Sequence, residues 1–307
     1  MQLGVDRVRV RVPATSANLG PGFDALGLAL RHHDELTVRA LGSARVEVVV
    51  RGEGAGSVPT DESHLVVRAI RRALDHVGAP QVGLALECDN HIAHGRGMGS
   101  SAAAVVSGLF AARGLIAEPE ALDDQTILAL ATSFEGHPDN AAPAILGGAT
   151  VAWMTGDRAR AARLTLDPDV TPTVIVPSVK LSTSRARGVL PVAVTHQSAA
   201  FTAGRAALLV HALGSDPDLL FDATEDKLHQ EFRAEVMPAS FALMTALRER
   251  GLAATISGAG PTVLVLDRAT NGDKVSLAVG EILGAARDDW QVLETGVDYD
   301  GATVTAF

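Results

Sequence analysis

The sequence predicts an α+β protein, because segments with strand and helix periodicity cluster along the chain without a regular strand–helix–strand repeat. Val8, Val10 and Val12 alternate with arginines, which is the period of a half-buried strand. Helix-starting residues at 60–63 precede apolar residues at helical spacing. With 307 residues, the chain is long enough for one large domain or two ordinary ones.

Turn residues divide the rest of the chain into short elements. Gly78 and Pro80 end a helix, Pro119 suits a first helical turn, and the glycines at 147–148 stop a short helix. The predicted strands are 8–12, 45–51, 82–88, 149–153, 173–176, 253–256 and 262–266, with one or two more near the end. The predicted helices are 65–77, 101–113, 119–130, the short one before 147, 200–213, 239–250 and 274–285.

A charged segment at residues 158–169 lacks clear periodicity, and we place a domain junction there. The division predicts an N-terminal domain at 1–160 that binds nucleotide and phosphate, and a C-terminal α+β domain at 161–307.

Composition excludes several classes of protein. The net charge of −10 and pI of about 5.4 argue against a nucleic-acid surface, which needs a basic face. The single cysteine, Cys88, cannot form an internal disulfide, which fits a reduced cytosol, and its alternating neighbours predict a buried structural thiol. The longest apolar stretch, 102–117, is interrupted by Arg113 and is short for a membrane span. We therefore expect a soluble cytoplasmic protein without nucleic-acid or membrane partners; the oligomeric state stays open, with a homodimer as one option.

A glycine-rich segment at residues 94–104 reads His-Gly-Arg-Gly-Met-Gly-Ser-Ser-Ala-Ala-Ala. Glycines allow the backbone to approach an anion closely, and the helix that begins here offers unpaired N–H groups. The segment therefore predicts a phosphate cradle. Because no lysine follows the glycines, it is not the common P-loop, and it also lacks the dinucleotide pattern Gly-x-Gly-x-x-Gly. The alternative to a phosphate cradle is a tight connection between a strand and a helix that binds no ligand, which could have the same local sequence.

Three further motifs accompany this segment. Residues 13–24 read Pro-Ala-Thr-Ser-Ala-Asn-Leu-Gly-Pro-Gly-Phe-Asp, residues 135–140 read Glu-Gly-His-Pro-Asp-Asn, and residues 256–263 read Ile-Ser-Gly-Ala-Gly-Pro-Thr-Val. With these four motifs in order, the chain resembles the GHMP kinases, and the first and third motifs resemble homoserine kinases in particular. The resemblance covers most of the chain. It implies two α+β domains with the active site in the cleft between them, with ATP as phosphoryl donor and Mg²⁺ as metal.

The resemblance assigns the phosphates to the glycine-rich loop and the metal to Ser101 with Glu135. One of the two loop serines could instead be only a helix N-cap, and Glu135 could be a surface glutamate, so the identity of the metal glutamate stays open. In the same family the loop at 257–262 packs beside the phosphate loop. The residues expected to contact ATP are His64, Gly95, Arg96, Gly97, Met98, Gly99, Ser100 and Ser101.

The resemblance also implies an acceptor site for an amino acid. An aspartate with an asparagine suits an ammonium group, and arginine binds a carboxylate through two hydrogen bonds. Arg185 competes with Arg187, because helical residues two apart point in different directions. Asp139 is a candidate general base, although phosphoryl transfer through a loose transition state needs no strong base. The expected residues are Asn18 and Asp24 for the ammonium group, Arg187, Arg233 and Thr183 for the carboxylate end, and His137, Asp139 and Asn140 for the hydroxyl.

The function implied by the resemblance is transfer of the γ-phosphoryl group of ATP to the side-chain hydroxyl of L-homoserine, on the route to threonine. One alternative is a related kinase acting on mevalonate or a sugar, in which Asp24 would lack an ammonium partner. The other is a catalytically silent relative that binds nucleotide or metabolite as a sensor.

Overall fold

The computed structural model describes residues 1–271 and 273–307 and confirms the predicted α+β class. Its strands are β1 (Arg7–Ala17), β2 (Leu26–Leu41), β3 (Val46–Gly52), β4 (Gly83–Asn90), β5 (Ala149–Thr155), β6 (Arg158–Leu164), β7 (Val170–Pro177), β8 (Ala253–Ile256), β9 (Val263–Arg268), β10 (Trp290–Glu294) and β11 (Thr303–Ala306). Its helices are α1 (Leu65–His76), α2 (Ser100–Leu115), α3 (Asp124–Glu135), α4 (Ala141–Leu146), α5 (Thr183–Gly188), α6 (His196–Gly214), α7 (Leu220–Ala223), α8 (Pro238–Glu249) and α9 (Lys274–Leu283).

The strands form two sheets. The first has the order β11-β1-β2-β4-β3, and β5 pairs with β2 and with β6. Its neighbours are antiparallel except for β3 and β4, which are parallel. The second sheet is antiparallel, with the order β10-β7-β9-β8. The loops that carry the four sequence motifs meet between these two sheets.

Helix α2 is the centre of the larger core. It packs on β1 and α1, and it is buried on nearly all sides because small residues let its neighbours approach. A Cβ atom on Gly108 would lie 2.6 Å from the carbonyl oxygen of Val66 in α1, so the two helices are in close contact. This packing fixes the position of the N-terminus of α2, where the glycine-rich loop ends.

Two strands were not predicted. The long strand β2 contains the polar run at residues 32–35, which hides its periodicity, and a register shift opposite β1 at Pro13/Ala14 disturbs the alternation further. Strand β6 has the sequence of a charged segment without clear periodicity, so the pattern does not predict it. It pairs on one side with β5, and its arginines are exposed. Such charges are common on exposed edge strands.

The division of the chain at residues 160 and 161 stays a prediction. In the structure β6 crosses this point and pairs with β5 of the first sheet. Strand β11, near the other end of the chain, also belongs to the first sheet through its pairing with β1.

Cys88 is buried, as its alternating neighbours predict. Burial raises the pKa of its thiol to about 12, so the group stays protonated and unreactive at neutral pH. Within the described residues, no helix combines the length and the apolar character that crossing a membrane requires.

We expect Leu109→Ala in α2 to destabilise the protein by about 2–5 kcal/mol, because this fully buried side chain would leave a cavity in the core. Leu277→Ala in α9 is the matched control: Leu277 is 67% exposed, and its truncation should change stability by less than about 0.5 kcal/mol. Urea denaturation measures both. Equal stability of the two variants would contradict the tight packing of α2.

Candidate active site

The phosphate loop folds through alternating glycines. Gly95, Gly97 and Gly99 have φ angles of 65°, 77° and 70°, in the left-handed region that favours glycine. A Cβ atom on Gly97 would lie 2.3 Å from the carbonyl oxygen of Ser257, and one on Gly99 would lie 1.9 Å from Oγ1 of Thr15. The loop is therefore pressed against two other motifs.

Hydrogen bonds join these motifs. The Ser257 hydroxyl donates to the Gly97 carbonyl oxygen at 2.6 Å and makes a second hydrogen bond of 2.8 Å with the Ser16 hydroxyl. The N–H of Gly258 donates to the carbonyl oxygen of Ala17 at 3.0 Å. The structure thus confirms that the loop at 257–262 packs beside the phosphate loop.

The N-cap of α2 is Gly99 rather than one of the loop serines, so the N-cap interpretation of Ser100 or Ser101 is wrong. In the part of the chain that the structure describes, no side chain caps this helix. Its first-turn N–H groups are therefore available to an anion, and the positive end of the helix dipole favours one.

Two cavities meet at Ser100 and Ser101. The first has a volume of about 320 Å³, within the range of small-molecule sites, and is lined mainly by apolar surface. His64 lines it, and burial lowers the pKa of this imidazole. Its Nδ1 is buried and has no hydrogen-bond partner among the described residues, so it is free to bind a ligand. An apolar cavity with a buried imidazole nitrogen that has no partner suits the base of a nucleotide, which fits the expected contact of His64 with ATP.

The second cavity, of about 130 Å³, brings together most of the predicted site residues. They come from the loop after β1, the glycine-rich loop and the start of α2, the end of α3 and the loop between α3 and α4, α5, and the 3₁₀ turn at Glu231–Val236. The predicted residues that line it are Asn18, Asp24, Gly95, Gly97, Gly99, Ser100, Ser101, Glu135, His137, Asp139, Asn140, Thr183, Arg187 and Arg233.

Arg96 and Met98 line neither cavity. The Arg96 side chain pairs with Glu53 at 3.3 Å and donates to the carbonyl oxygen of Ser178 at 3.0 Å. The Met98 side chain is 1% exposed and packs in the core. Both side chains hold the loop in place, so the expected contact of Arg96 and Met98 with ATP would be made by their backbone groups, and it stays a prediction.

Ser101 and Glu135 are in direct contact. The serine hydroxyl donates to Oε1 of Glu135 at 2.6 Å, at the point where the two cavities meet. Elsewhere in the described residues, no group of three or more His, Cys, Asp or Glu could hold a metal ion. A hydroxyl with one carboxylate suits Mg²⁺ that takes its remaining ligands from phosphates and water.

Asp24 and Arg187 form an ion pair. Two hydrogen bonds, of 2.6 and 3.1 Å, join the guanidinium to the two carboxylate oxygens, and both side chains are about one-third exposed to the cavity. Their hydrogen bonding raises the pKa of Arg187. Arg185 in the same helix is exposed, so Arg187 is the one that faces the cavity.

The loop carrying Asp24 has an unusual backbone. Asn18, Leu19 and Asp24 have φ angles of 70°, 50° and 54°, although none is glycine. Such strain is concentrated at functional sites. Asn18 is 3% exposed; its amide donates to the Gly258 carbonyl oxygen, and its side-chain oxygen accepts from the N–H of Asp24. These bonds indicate that Asn18 shapes the loop that carries Asp24; a contact of its side-chain oxygen with the ammonium group stays a prediction.

The segment at residues 137–140 forms a hydrogen-bonded chain. Oδ1 of Asp139 accepts from His137 Nδ1 at 2.5 Å and from the Asn140 amide at 3.3 Å. The Asn140 oxygen accepts from the Thr15 hydroxyl at 2.9 Å. Because Asp139 is 2% exposed and already accepts these bonds, the geometry favours an orienting role over the predicted general base.

Arg233 is 1% exposed, yet it lines the second cavity. Burial, with the neighbouring Arg187 as the second cause, lowers its pKa to about 10, so the group is still charged at neutral pH. Phe23 lies beside both arginines, with its ring centre 5.7 Å from Arg187 Cζ and 5.6 Å from Arg233 Cζ. Sequence reasoning missed Phe23, although it is adjacent to Asp24 in the first motif.

The sequence matches two family models: GHMP kinases N terminal domain at residues 64–148, and GHMP kinases C terminal at residues 201–284. Homoserine kinase of Streptomyces coelicolor is 51% identical over 298 residues, which cover 97% of this chain and 94% of the relative. Homoserine kinase of Leifsonia xyli is 52% identical over 297 residues, covering 97% and 91%.

The chain belongs to the homoserine kinase family of GHMP kinases. The crystal structure of homoserine kinase from Cytophaga hutchinsonii has the same fold over 99% of both chains, with a TM-score of 0.85 at 27% identity. The two-domain GHMP kinase fold implied by the sequence motifs is therefore confirmed.

We expect the pKa of His137 to lie above 6.5, because its hydrogen bond to Asp139 favours the imidazolium form. In Asp139→Asn the pKa should fall toward 6.5. The stability that this pair contributes is full below pH 6.5 and is lost as pH rises through the raised pKa. Titration by NMR measures both values, with His137→Asn to assign the resonance. An unchanged pKa in Asp139→Asn would contradict the assigned cause.

Proposed function

We propose that this protein transfers the γ-phosphoryl group of ATP to the side-chain hydroxyl of L-homoserine, producing O-phospho-L-homoserine for threonine biosynthesis. The observation that carries the proposal is the meeting of two cavities at one phosphate loop. One cavity is apolar and suits a base, and the other is polar and holds paired charges. Relatives named homoserine kinase at about half identity support the same acceptor.

The phosphates lie along the glycine-rich loop in this proposal. Backbone N–H groups at the start of α2 neutralise the phosphate oxygens without a lysine. Ser101 and Glu135 would hold Mg²⁺, which would supply positive charge to the phosphates. Most of the catalytic effect in phosphoryl transfer comes from such positioning and charge.

The Asp24–Arg187 pair is complementary to a zwitterion. An amino acid can offer its ammonium group to the Asp24 carboxylate and its carboxylate to the guanidinium, so that both charges find new partners. Arg233 adds a second cation on the carboxylate side. A neutral sugar would leave these charges unused, and mevalonate would leave Asp24 without a cation.

The acceptor hydroxyl attacks the γ-phosphorus, and the bond between this phosphorus and the β–γ bridging oxygen breaks, which releases ADP. Asn140 and His137 orient the hydroxyl, and Asp139 fixes both of them through the hydrogen bonds described above. The raised pKa of His137 favours an imidazolium, which can stabilise the transferring phosphoryl group. The hydroxyl proton passes to the product phosphate or to solvent, since a loose transition state needs no strong base.

The first experiment is ADP release by the purified protein with Mg-ATP, comparing L-homoserine, D-homoserine, mevalonate and galactose. Turnover on L-homoserine alone supports the proposal. Turnover only on another acceptor would retain the phosphate site and overturn the assignment of Asp24 and the arginines. A cytoplasmic location and a homodimer stay predictions.

Arg187→Ala should raise KM for L-homoserine by about 10- to 100-fold, because a charged hydrogen-bond donor to the carboxylate is lost and Asp24 is left unpaired. KM for ATP should change little. Arg185→Ala, two residues away in the same helix and exposed, is the control and should behave as wild type. Steady-state kinetics measure all three proteins; an unchanged KM in Arg187→Ala would remove this residue from the acceptor site.

Glu135→Gln should lower kcat by roughly 10²–10³-fold, which is typical for loss of one charged group at a transition state. The Mg²⁺ concentration for half-maximal activity should also rise, because the amide is a weaker ligand. Glu120→Gln is the control, because Glu120 is exposed and lies shortly before the N-terminus of α3. A Mg²⁺ dependence equal to that of wild type would show that another group holds the metal.

A further inference from the structure

His229 lies outside the four sequence motifs described above, and its side chain is fully buried. It precedes the 3₁₀ turn at Glu231–Val236 that carries Arg233. Both of its ring nitrogens are hydrogen-bonded. Nδ1 is 3.0 Å from Nη1 of Arg233, and Nε2 is 2.8 Å from the carbonyl oxygen of Gly20.

The partners determine which nitrogen carries the proton. A guanidinium has only donors, so Nδ1 of His229 must accept from Arg233. A carbonyl oxygen only accepts, so Nε2 must carry the proton and donate to Gly20. The imidazole is therefore neutral, with a single tautomer that satisfies both bonds.

The surroundings of the ring maintain this state. Burial lowers the pKa of His229; the nearby Asp226 and Asp24 carboxylates act in the opposite direction, and Arg233 lowers the pKa further. The Phe23 ring stacks on the imidazole with a centroid distance of 5.0 Å and an angle of 25° between the planes.

The ring connects the two halves of the acceptor site. On one side it fixes Arg233, whose Nε donates to the carbonyl oxygen of Ala186 and whose Nη1 also donates to that of Gly258. On the other side it holds Gly20, in the loop that carries Asp24. The ring thus links the cation proposed for the substrate carboxylate to the loop that carries the anion proposed for its ammonium group.

We infer that His229 is a positioning residue that orients the Arg233 guanidinium toward the acceptor carboxylate and so selects amino acids over amino alcohols of the same length. The inference rests on the proposed function. His229 does not touch the acceptor in this scheme; it acts through Arg233.

Two substitutions separate the two hydrogen bonds. In His229→Gln the side-chain amide can replace Nε2 as the donor to Gly20, but nothing replaces Nδ1. In His229→Asn the side-chain oxygen can replace Nδ1 as the acceptor for Arg233, but the bond to Gly20 is lost. His211→Gln, at an exposed position in α6, is the control for the chemical change.

We expect His229→Gln to raise KM for L-homoserine about tenfold, the effect of losing one buried hydrogen bond to a charged group, with KM for ATP unchanged. His229→Asn should retain most of the affinity. The acceptor 3-aminopropan-1-ol lacks the carboxylate, so its KM should be the same in wild type and in His229→Gln. This comparison distinguishes orientation of Arg233 from general damage to the site, which would raise KM for both acceptors.

The wild-type protein provides a readout without turnover. Long-range ¹H–¹⁵N NMR of His229 should show a proton on Nε2 and none on Nδ1. A proton on Nδ1, an unchanged KM for L-homoserine in His229→Gln, or equal losses with both acceptors would overturn the inference. If His229→Gln does not fold, the Asn variant and the tautomer still test it. Absence of wild-type turnover on L-homoserine would instead overturn the proposed function.

Discussion

The loop at residues 257–262, which follows β8, holds the rest of the site together. Its hydrogen bonds join it to the glycine-rich phosphate loop and to the first sequence motif. Ser257 is bonded to Gly97 of the phosphate loop and to Ser16 in β1, and Gly258 is bonded to Ala17. The loops proposed to bind the donor phosphates and the acceptor come from different parts of the chain. Their relative position is set by this small group of buried hydrogen bonds, whose contribution is large because water is excluded from them.

The proposed acceptor site balances its charges before a substrate arrives. Asp24 neutralises Arg187, and Phe23 lies beside the guanidinium groups of Arg187 and Arg233. A paired carboxylate and guanidinium tolerate partial burial better than isolated charges would. The strained backbone at Asp24 presents its carboxylate toward the cavity, so the packing around the loop supplies the energy that holds this conformation.

Much of the fold and of the site composition could be predicted from the sequence, because glycine-rich motifs and helix periodicity are local signals. The strand β2 could not, since its polar residues at 32–35 are satisfied by distant partners: Asp34, for example, accepts from the backbone N–H groups of His91 and Ile92. The same limit applies within the site. Asp24 and Arg187 are 163 positions apart, and no local pattern indicates that they pair.

His229 shows the limit most clearly, because a single histidine outside a motif gives no signal in the sequence. Its importance comes from complete burial and from two partners of fixed hydrogen-bonding character. The side chains of Arg96 and Met98 show another limit of reasoning from a local motif. Their backbone belongs to the phosphate loop, but tertiary packing directs both side chains away from the cavities.

The pairing of β11 with β1 has a consequence for synthesis of the chain on the ribosome. Strand β1 leads into the first motif, yet one of its edges is completed only by Thr303–Ala306. That edge therefore stays open while almost all of the remaining chain is translated, and an open edge can pair with other chains. The alternating arginines of β1, at positions 7, 9 and 11, place repelling charges along the strand during that interval and so protect the nascent protein from aggregation.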